Sequence, residues 1–312
     1  MASPTAAKRP SRRRIGGAGI APWLFISPWI LGFLIFTLGP LIFSFVMSLH
    51  DWPVVGKRTF IGFDNYTMMF RDDPQFRDSL WITVKFACLF VPLNIVLSFL
   101  LAVLLNLNLR GTALFRTAFY LPSVISGVAL VTIWSWLYSK EYGLLNYLMS
   151  LAGITGPNWL GDENWALLAI TIASLWGLGG SMLIFLAGLQ SVPKELYEAA
   201  RISGVPPWAQ VIHITLPMLS PMVLFTFITS IISAFQQLTI ALLLTKGGPV
   251  GSTYFFAKYI YDNAFKFHDM GYAAAMSWVM FAIILVLSMA VMRWSTAWVY
   301  YEGEVRKDGG NG

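Results

Sequence analysis

Long apolar segments separated by shorter polar ones dominate the pattern of this chain. Six of them reach the 20 or so residues that an α-helix needs to cross a hydrocarbon layer of roughly 30 Å. The predicted spans lie at about residues 21–49, 80–108, 117–138, 165–190, 219–245 and 273–297. The pattern therefore predicts an all-α integral membrane protein. It has a basic segment at 1–20, a six-helix membrane domain at 21–297 and a tail at 298–312.

Composition supports the membrane interpretation. The chain is 57% hydrophobic and only 12% charged, with a mean hydropathy of +0.65. A soluble domain carries roughly twice that charged fraction. Cys88 is the only cysteine, and the 3 histidines lack the spacing of metal ligands. Neither a disulfide framework nor a metal site is predicted.

The distribution of charge predicts how the spans are oriented. An even number of spans leaves both termini on one side of the membrane. If that side is the cytoplasm, it carries twelve of the 21 Lys and Arg residues but five of the 15 Asp and Glu residues. Because cytoplasmic connections are enriched in Lys and Arg, we expect both termini to be cytoplasmic. The net charge of +6 does not indicate nucleic-acid binding, since the basic cluster within 8–14 directly precedes the first span and no aromatic-studded basic patch follows.

The predicted spans contain no Asp or Glu, and Lys85 is the only ionisable residue at depth. Carriers coupled to protons or sodium commonly use carboxylates within the membrane, because charge must be taken up and released there. Their absence favours a neutral solute and an external source of energy. A stand-alone channel or secondary carrier for a neutral polar solute is the alternative. An integral-membrane enzyme would require a convergent catalytic cluster, and the sequence contains none.

The connection between predicted spans 4 and 5, residues 191–217, is the most patterned polar segment, and we call it the coupling loop. Ser191 is expected to cap a short helix that has Pro193 in its first turn. Gly204 is expected to end this helix in the left-handed conformation. An ordinary connector helix with a cap at each end would have the same features.

One face of this helix is predicted to be small and mostly apolar. Its members recur at spacings of 3, 4 and 7, as neighbours on a helix do: Leu196, Ala199, Ala200 and Ser203. Small side chains would allow the helix to enter a cleft on another protein. Glu198 lies beside this face and can accept hydrogen bonds from such a partner.

The complete spacing of the loop resembles a known signature. Glu198-Ala199-Ala200, then Gly204, then Ile214-x-Leu216-Pro217 is similar to the loop of permease subunits of ATP-binding cassette importers. Ser203 stands where an Asp is frequent in that family, and Val205 where an Ala is common. Four further motifs resemble the carbohydrate branch, in particular the first permease of a pair of the maltose or glycerol-phosphate type: Phe60-Ile-Gly62-Phe-Asp64-Asn65-Tyr66, Tyr120-Leu-Pro122, Gly143-Leu-Leu-Asn146 and Leu244-Thr-Lys-Gly247-Gly248-Pro249.

This resemblance implies partners and a location. The partners would be a second homologous permease, an ATPase dimer that receives the coupling helix, and an extracytoplasmic solute-binding protein, all at a prokaryotic cytoplasmic membrane. The coupling residues would be Leu196, Glu198, Ala199, Ala200, Arg201 and Gly204. No catalytic residue and no cofactor are expected in this chain. ATP and Mg²⁺ would be bound by the partner, since the chain has no Gly-rich phosphate loop followed by Lys-Ser/Thr.

Polar side chains in the predicted spans are candidates for a substrate pathway. Ser230, Ser233 and Gln237 fall at i, i+3 and i+7 of predicted span 5 and would share one face, where hydroxyl and amide groups suit the hydroxyls of a carbohydrate. The aromatic plane of Trp176, between Ser174 and Ser181, suits a pyranose ring. Hydrogen bonding between helices is the alternative role for these groups. The candidate set is Asn94, Ser123, Trp176, Ser230, Ser233, Gln236 and Gln237.

Overall fold

The chain is mostly helical over the described residues, which in this computed structural model are 20–107 and 110–300. The basic cluster of the predicted segment 1–20 and most of the predicted tail lie outside them. A hairpin of β1 (His50–Asp51) and β2 (Thr59–Phe60) joins the second and third helices. The α-helices are α1 (Ile20–Phe33), α2 (Gly39–Ser48), α3 (Asp64–Arg71), α4 (Pro74–Leu105), α5 (Thr112–Val124), α6 (Gly127–Leu137), α7 (Leu144–Leu151), α8 (Glu163–Leu175), α9 (Gly179–Ser191), α10 (Lys194–Ile202), α11 (Pro207–Gln210), α12 (Leu216–Met218), α13 (Ser220–Phe235), α14 (Phe256–Phe265) and α15 (Met270–Ser295).

All six predicted segments correspond to candidate membrane spans. In the described part of the chain, three helical segments are long and apolar enough to cross a membrane by themselves: Trp23–Ser48, which contains a π-helical turn at Leu34–Leu38, and α4 and α15. The other three are bent pairs. The bend is 103° between α5 and α6, 49° between α8 and α9, and 68° between Pro207–Met218 and α13. The structure therefore has up to six spans, as the hydrophobic pattern predicts.

Predicted spans 3, 4 and 5 are not single continuous helices, and span 4 is interrupted between Leu175 and Gly179. Pro122 lies in the last turn of α5 and supplies no N–H there, and Ile125 and Ser126 are extended. Ser126 then begins α6, because its Oγ accepts a 3.5 Å hydrogen bond from the backbone N–H of Ala129. In span 5, α13 ends at Phe235, well before the predicted end, and a π-helical turn at Ala241–Thr245 follows.

α4 is the central helix of the bundle and contacts α5, α8, α9, α13 and α14. α9 lies close to α5 because residue 179 is a glycine. A Cβ at Gly179 would stand 2.5 Å from the carbonyl oxygen of Phe119 and 2.7 Å from the Cα of Tyr120. Glycine at this position thus permits the close approach of two membrane helices.

Partly buried polar contacts join the helices at the end of the bundle opposite the coupling loop. One oxygen of Asp73 accepts from the backbone N–H of Phe76 at the start of α4. The other accepts from the hydroxyl of Tyr259, at 2.6 Å, and from that of Tyr272. Burial, together with the hydrogen bond to Asp73, raises the pKa of Tyr259 above its usual range, so this hydroxyl remains a donor. These contacts tie α14 and α15 to the start of α4.

Candidate functional site: coupling loop and polar cluster

The coupling helix is α10, Lys194–Ile202. Ser191 does not cap it as predicted, because the Ser191 hydroxyl donates to the carbonyl of Gly188 at 2.8 Å and Val192 is extended. Ser191 therefore closes α9, and α10 begins after Pro193. At the other end, Gly204 has φ +73°, so the predicted left-handed termination is confirmed.

α10 is anchored to the rest of its own chain on one side. Ala200 is buried, and the hydroxyls of Tyr197 and Thr215 are 2.9 Å apart. The Gln210 side chain also donates to the carbonyl of Val205 at 2.8 Å, which holds the turn after α10. Ala200 therefore belongs to this anchor and not to the exposed face that its spacing predicts. These contacts connect the coupling helix to the segment that leads into α13.

The other side of α10 is uncovered. Leu196, Ala199 and Ser203 are exposed, and Ile202 is 88% exposed although it is large and apolar. Trp208, at the start of α11, is 67% exposed. Sequence reasoning missed Ile202 and Trp208 because neither falls on the small-residue face. Their apolar side chains within an otherwise polar loop could have identified them as candidates for contact with a partner.

Charged side chains of α10 line a cavity of about 510 Å³ beside this surface. Lys194, Glu198 and Arg201 contribute to it, and Asn106, just after α4, lies across from them. Within the described ranges, none of these three charged groups takes part in an ion pair. Glu198 and Arg201 are thus exposed charges beside an apolar surface, and Gly204, next to Ser203, fixes where that surface ends.

The substrate-pathway candidates come together in part. Asn94 of α4 donates from Nδ2 to the Ser230 hydroxyl of α13 at 2.9 Å and to the Ser181 hydroxyl of α9 at 3.2 Å. Gln237 donates from Nε2 to the Ser174 hydroxyl of α8 at 3.2 Å. We call these five residues the polar cluster. Helices far apart in the sequence thus place amide and hydroxyl groups in contact within an apolar bundle.

The polar cluster borders a cavity of about 160 Å³. Its lining combines hydroxyl and amide groups with one aromatic ring and a glycine: Phe90, Asn94, Ser174, Gly177, Ser181, Thr229, Ser230 and Ser233. No ionisable side chain lines it, so the groups available to a solute are neutral hydrogen-bond donors and acceptors. Sequence reasoning missed Phe90 and Thr229, whose positions follow from how α4 and α13 pack.

Three predicted pathway residues lie outside the polar cluster, and a fourth reaches it from a different position than predicted. Gln237 lies beyond the end of α13, so it does not share a helix face with Ser230 and Ser233, although its amide still reaches the polar cluster. Gln236 is exposed at the C-terminus of α13. The Ser123 hydroxyl donates to the carbonyl of Tyr120 at 2.6 Å. Trp176 packs edge-on against Trp134, with ring centroids 5.9 Å apart.

Comparison with known proteins agrees with this arrangement over most of the chain. Residues 94–300 match the family described as "binding-protein-dependent transport system inner membrane component". The chain is 37% identical over 296 residues to the probable ABC transporter permease protein YesP of Bacillus subtilis (strain 168), covering 94% of this chain and 96% of that protein. It is 38% identical over 275 residues to the lactose transport system permease protein LacF of Rhizobium radiobacter, covering 85% and 91%.

A solved structure supports the fold independently. The chain superposes with a TM-score of 0.78 on a chain of a bacterial ABC transporter involved in the import of the acidic polysaccharide alginate, at 23% identity, covering 89% of this chain and 97% of that one. The family match begins at Asn94 and includes the polar cluster, the coupling loop and predicted spans 3 to 6. The chain is therefore a multi-pass transport permease, not an enzyme, and it belongs to the family of binding-protein-dependent transport system inner membrane components.

Proposed function

We propose that this chain is the permease subunit of an ATP-driven importer for a sugar or sugar-like solute. The observation that carries the proposal is the polar cluster: amide and hydroxyl groups of four helical segments converge beside a cavity without charged side chains. A carbohydrate presents many neutral donors and acceptors, which such groups match. A relative named for lactose transport, 38% identical, supports a carbohydrate as the solute.

The partners of this permease are an ATPase dimer, a second homologous permease and an extracytoplasmic solute-binding protein. The exposed apolar side of α10 supports the first, because a nearly fully exposed Ile202 on a short helix is a surface suited to burial in a groove. The excess of Lys and Arg on the coupling-loop side supports a cytoplasmic position for this loop and for both termini. The membrane is then a prokaryotic cytoplasmic membrane.

Force from the ATPase would reach the solute through the chain itself. When the ATPase moves α10, the buried Ala200 and the Tyr197–Thr215 contact carry that motion into the segment before α13. α13 contains Ser230, which accepts from Asn94 of α4. Alternating access would be a rocking of the two permeases that opens the polar cluster first to one side and then to the other.

Purification of the tagged chain from its native membrane in mild detergent tests this proposal. We expect an ATPase and a second six-helix permease to co-purify, and the reconstituted complex to take up sugar only with ATP. Glu198→Lys is expected to reduce recovery of the ATPase, because it reverses the charge beside the docking surface. Glu141→Lys, the same reversal at an exposed residue far from α10, is the matched control.

Two outcomes would contradict the proposal. Recovery of the chain alone, with solute passage in vesicles that needs no nucleotide, would identify a channel or secondary carrier. Equal recovery of the ATPase with Glu198→Lys and Glu141→Lys would remove α10 as the coupling element.

A further inference from the structure

A second cavity, of about 340 Å³, lies between α4, α13 and α15 and is almost entirely apolar. α13 separates it from the polar cluster. Phe227, Ile231 and Phe235, at i, i+4 and i+8, face the apolar cavity, whereas Ser230 and Ser233 line the polar one. One helix thus presents hydrocarbon on one face and hydroxyl groups on another.

The sequence of α4 explains why this space is open. Ala87 contributes only a methyl group to the lining, where a larger side chain would fill the cavity. Pro92 has no backbone N–H, so it cannot donate the helical hydrogen bond to the carbonyl of Cys88, four positions earlier. The Cys88 thiol is also the only polar side-chain group in the lining.

The cavity lies at the depth of the hydrocarbon layer. Cys88 is near the middle of α4, between Pro74 and Leu105, and roughly 20 Å or more from either end at the helical rise of about 1.5 Å per residue. Cys88 and Leu287 are exposed at the surface of the chain, so the cavity opens outward. Apolar cavities exclude water and take up apolar ligands.

We propose that this cavity binds one acyl chain of a membrane lipid. The lining offers an aliphatic chain only hydrocarbon and a soft thiol, and the surrounding medium at this depth is acyl chains. A chain seated here packs against Phe227, Ile231 and Phe235 and so supports α13 from behind the polar cluster. The site depends on neither the identity of the transported solute nor that of the ATPase.

Cys88 provides a direct test, because it is the only cysteine of the chain. The complete complex is placed in nanodiscs that contain phospholipid with a diazirine in the middle of an acyl chain, irradiated and analysed by peptide mass spectrometry. Crosslinks are expected on Ala87, Val91 and Ile231. Treatment with octyl methanethiosulfonate, which attaches an alkyl chain to Cys88, is expected to reduce these crosslinks about tenfold, equivalent to about 1.4 kcal/mol of binding free energy. Dithiothreitol should restore them.

Cys88→Ala is the matched control, since it keeps the cavity and removes the attachment point. In that variant the crosslinks should persist and the reagent should have no effect. If the reagent leaves the crosslinks unchanged in the protein that retains Cys88, the proposal is overturned. Crosslinks confined to freely exposed positions such as Val96, or crosslinks from the cavity to a second protein in place of lipid, would also overturn it.

Discussion

The polar cluster and the coupling helix are both polar, and they differ in which molecule their polar and apolar groups contact. In the cluster, Asn94 and Gln237 donate to hydroxyl groups of the same chain. On α10, Ile202 is left 88% exposed, and Glu198 has no ion-pair partner within the described residues. The first region makes hydrogen bonds within its own chain, whereas the second leaves apolar and charged side chains exposed to another molecule.

This difference separates two kinds of substitution. A change in the polar cluster alters contacts within the chain, so it affects both solute uptake and stability. A change on the exposed side of α10 touches nothing in the chain and should affect association with the ATPase while the permease stays folded. Measuring both quantities for each variant therefore tests the comparison directly.

The largest effect is expected from Ile202→Asp. The substitution removes an exposed apolar side chain whose burial in a partner would contribute about 1.5–3 kcal/mol, which corresponds to roughly a 10- to 100-fold weaker ATPase association. Titration of the purified ATPase against permease in nanodiscs measures this. Ile202→Leu is the control and should bind normally. A loss of permease thermal stability in Ile202→Asp would contradict the assignment of Ile202 to an uncovered surface.

A smaller loss of coupling is expected from Gly204→Val. A β-branched residue at φ +73° is strained, at a cost of about 1–2 kcal/mol, and relief of that strain would move the end of α10. A Cβ at this position meets no atom within 4 Å, so crowding is not the cause. ATP-driven uptake should fall about tenfold. Gly204→Asn should retain uptake, because asparagine tolerates this conformation, and equal behaviour of the two variants would show that the left-handed turn is irrelevant.

Asn94→Leu tests the other region. The variant loses hydrogen bonds to Ser181 and Ser230, each worth about 0.6 kcal/mol in a membrane bundle. We expect roughly 1 kcal/mol lower stability and about fivefold slower uptake, with ATPase association unchanged. Thermal unfolding in nanodiscs and uptake assays measure these. Val96→Ala, on the exposed face of the same helix, is the control and should change neither stability nor uptake. Weaker ATPase binding in Asn94→Leu would contradict the separation of the polar cluster from the coupling helix.

The sequence predicted most of the helical segments but not their bends. Hydrophobic length identifies a span, whereas the 103° bend between α5 and α6 depends on extended backbone at Ile125 and Ser126, which the apolar pattern conceals. The coupling loop shows the same limit. The spacing predicted the left-handed Gly204 correctly, because that property is local. It assigned Ala200 to a docking face, although packing against the chain itself buries this residue.

The polar cluster was predictable in composition but not in geometry. Helical periodicity placed Gln237 on the same face as Ser230, and the structure ends α13 before reaching it. Its amide contacts Ser174 nevertheless, because the chain after α13 lies beside α8. Packing between helices decides which hydroxyl contacts which amide. That packing cannot be read directly from a single sequence.

The smallest effect on solute uptake is expected from Gln237→Ala, which tests the role of a single hydrogen bond in the polar cluster. The residue makes one hydrogen bond within the polar cluster, so we expect uptake to fall about threefold, the equivalent of roughly 0.6 kcal/mol, with unchanged abundance in the membrane. Gln236→Ala is the matched control, because that neighbouring amide is exposed outside the cavity lining. Quantitative uptake normalised to permease abundance measures both. If Gln236→Ala is the more damaging of the two, solute passes the exposed end of α13 and the polar cluster is only a contact between helices.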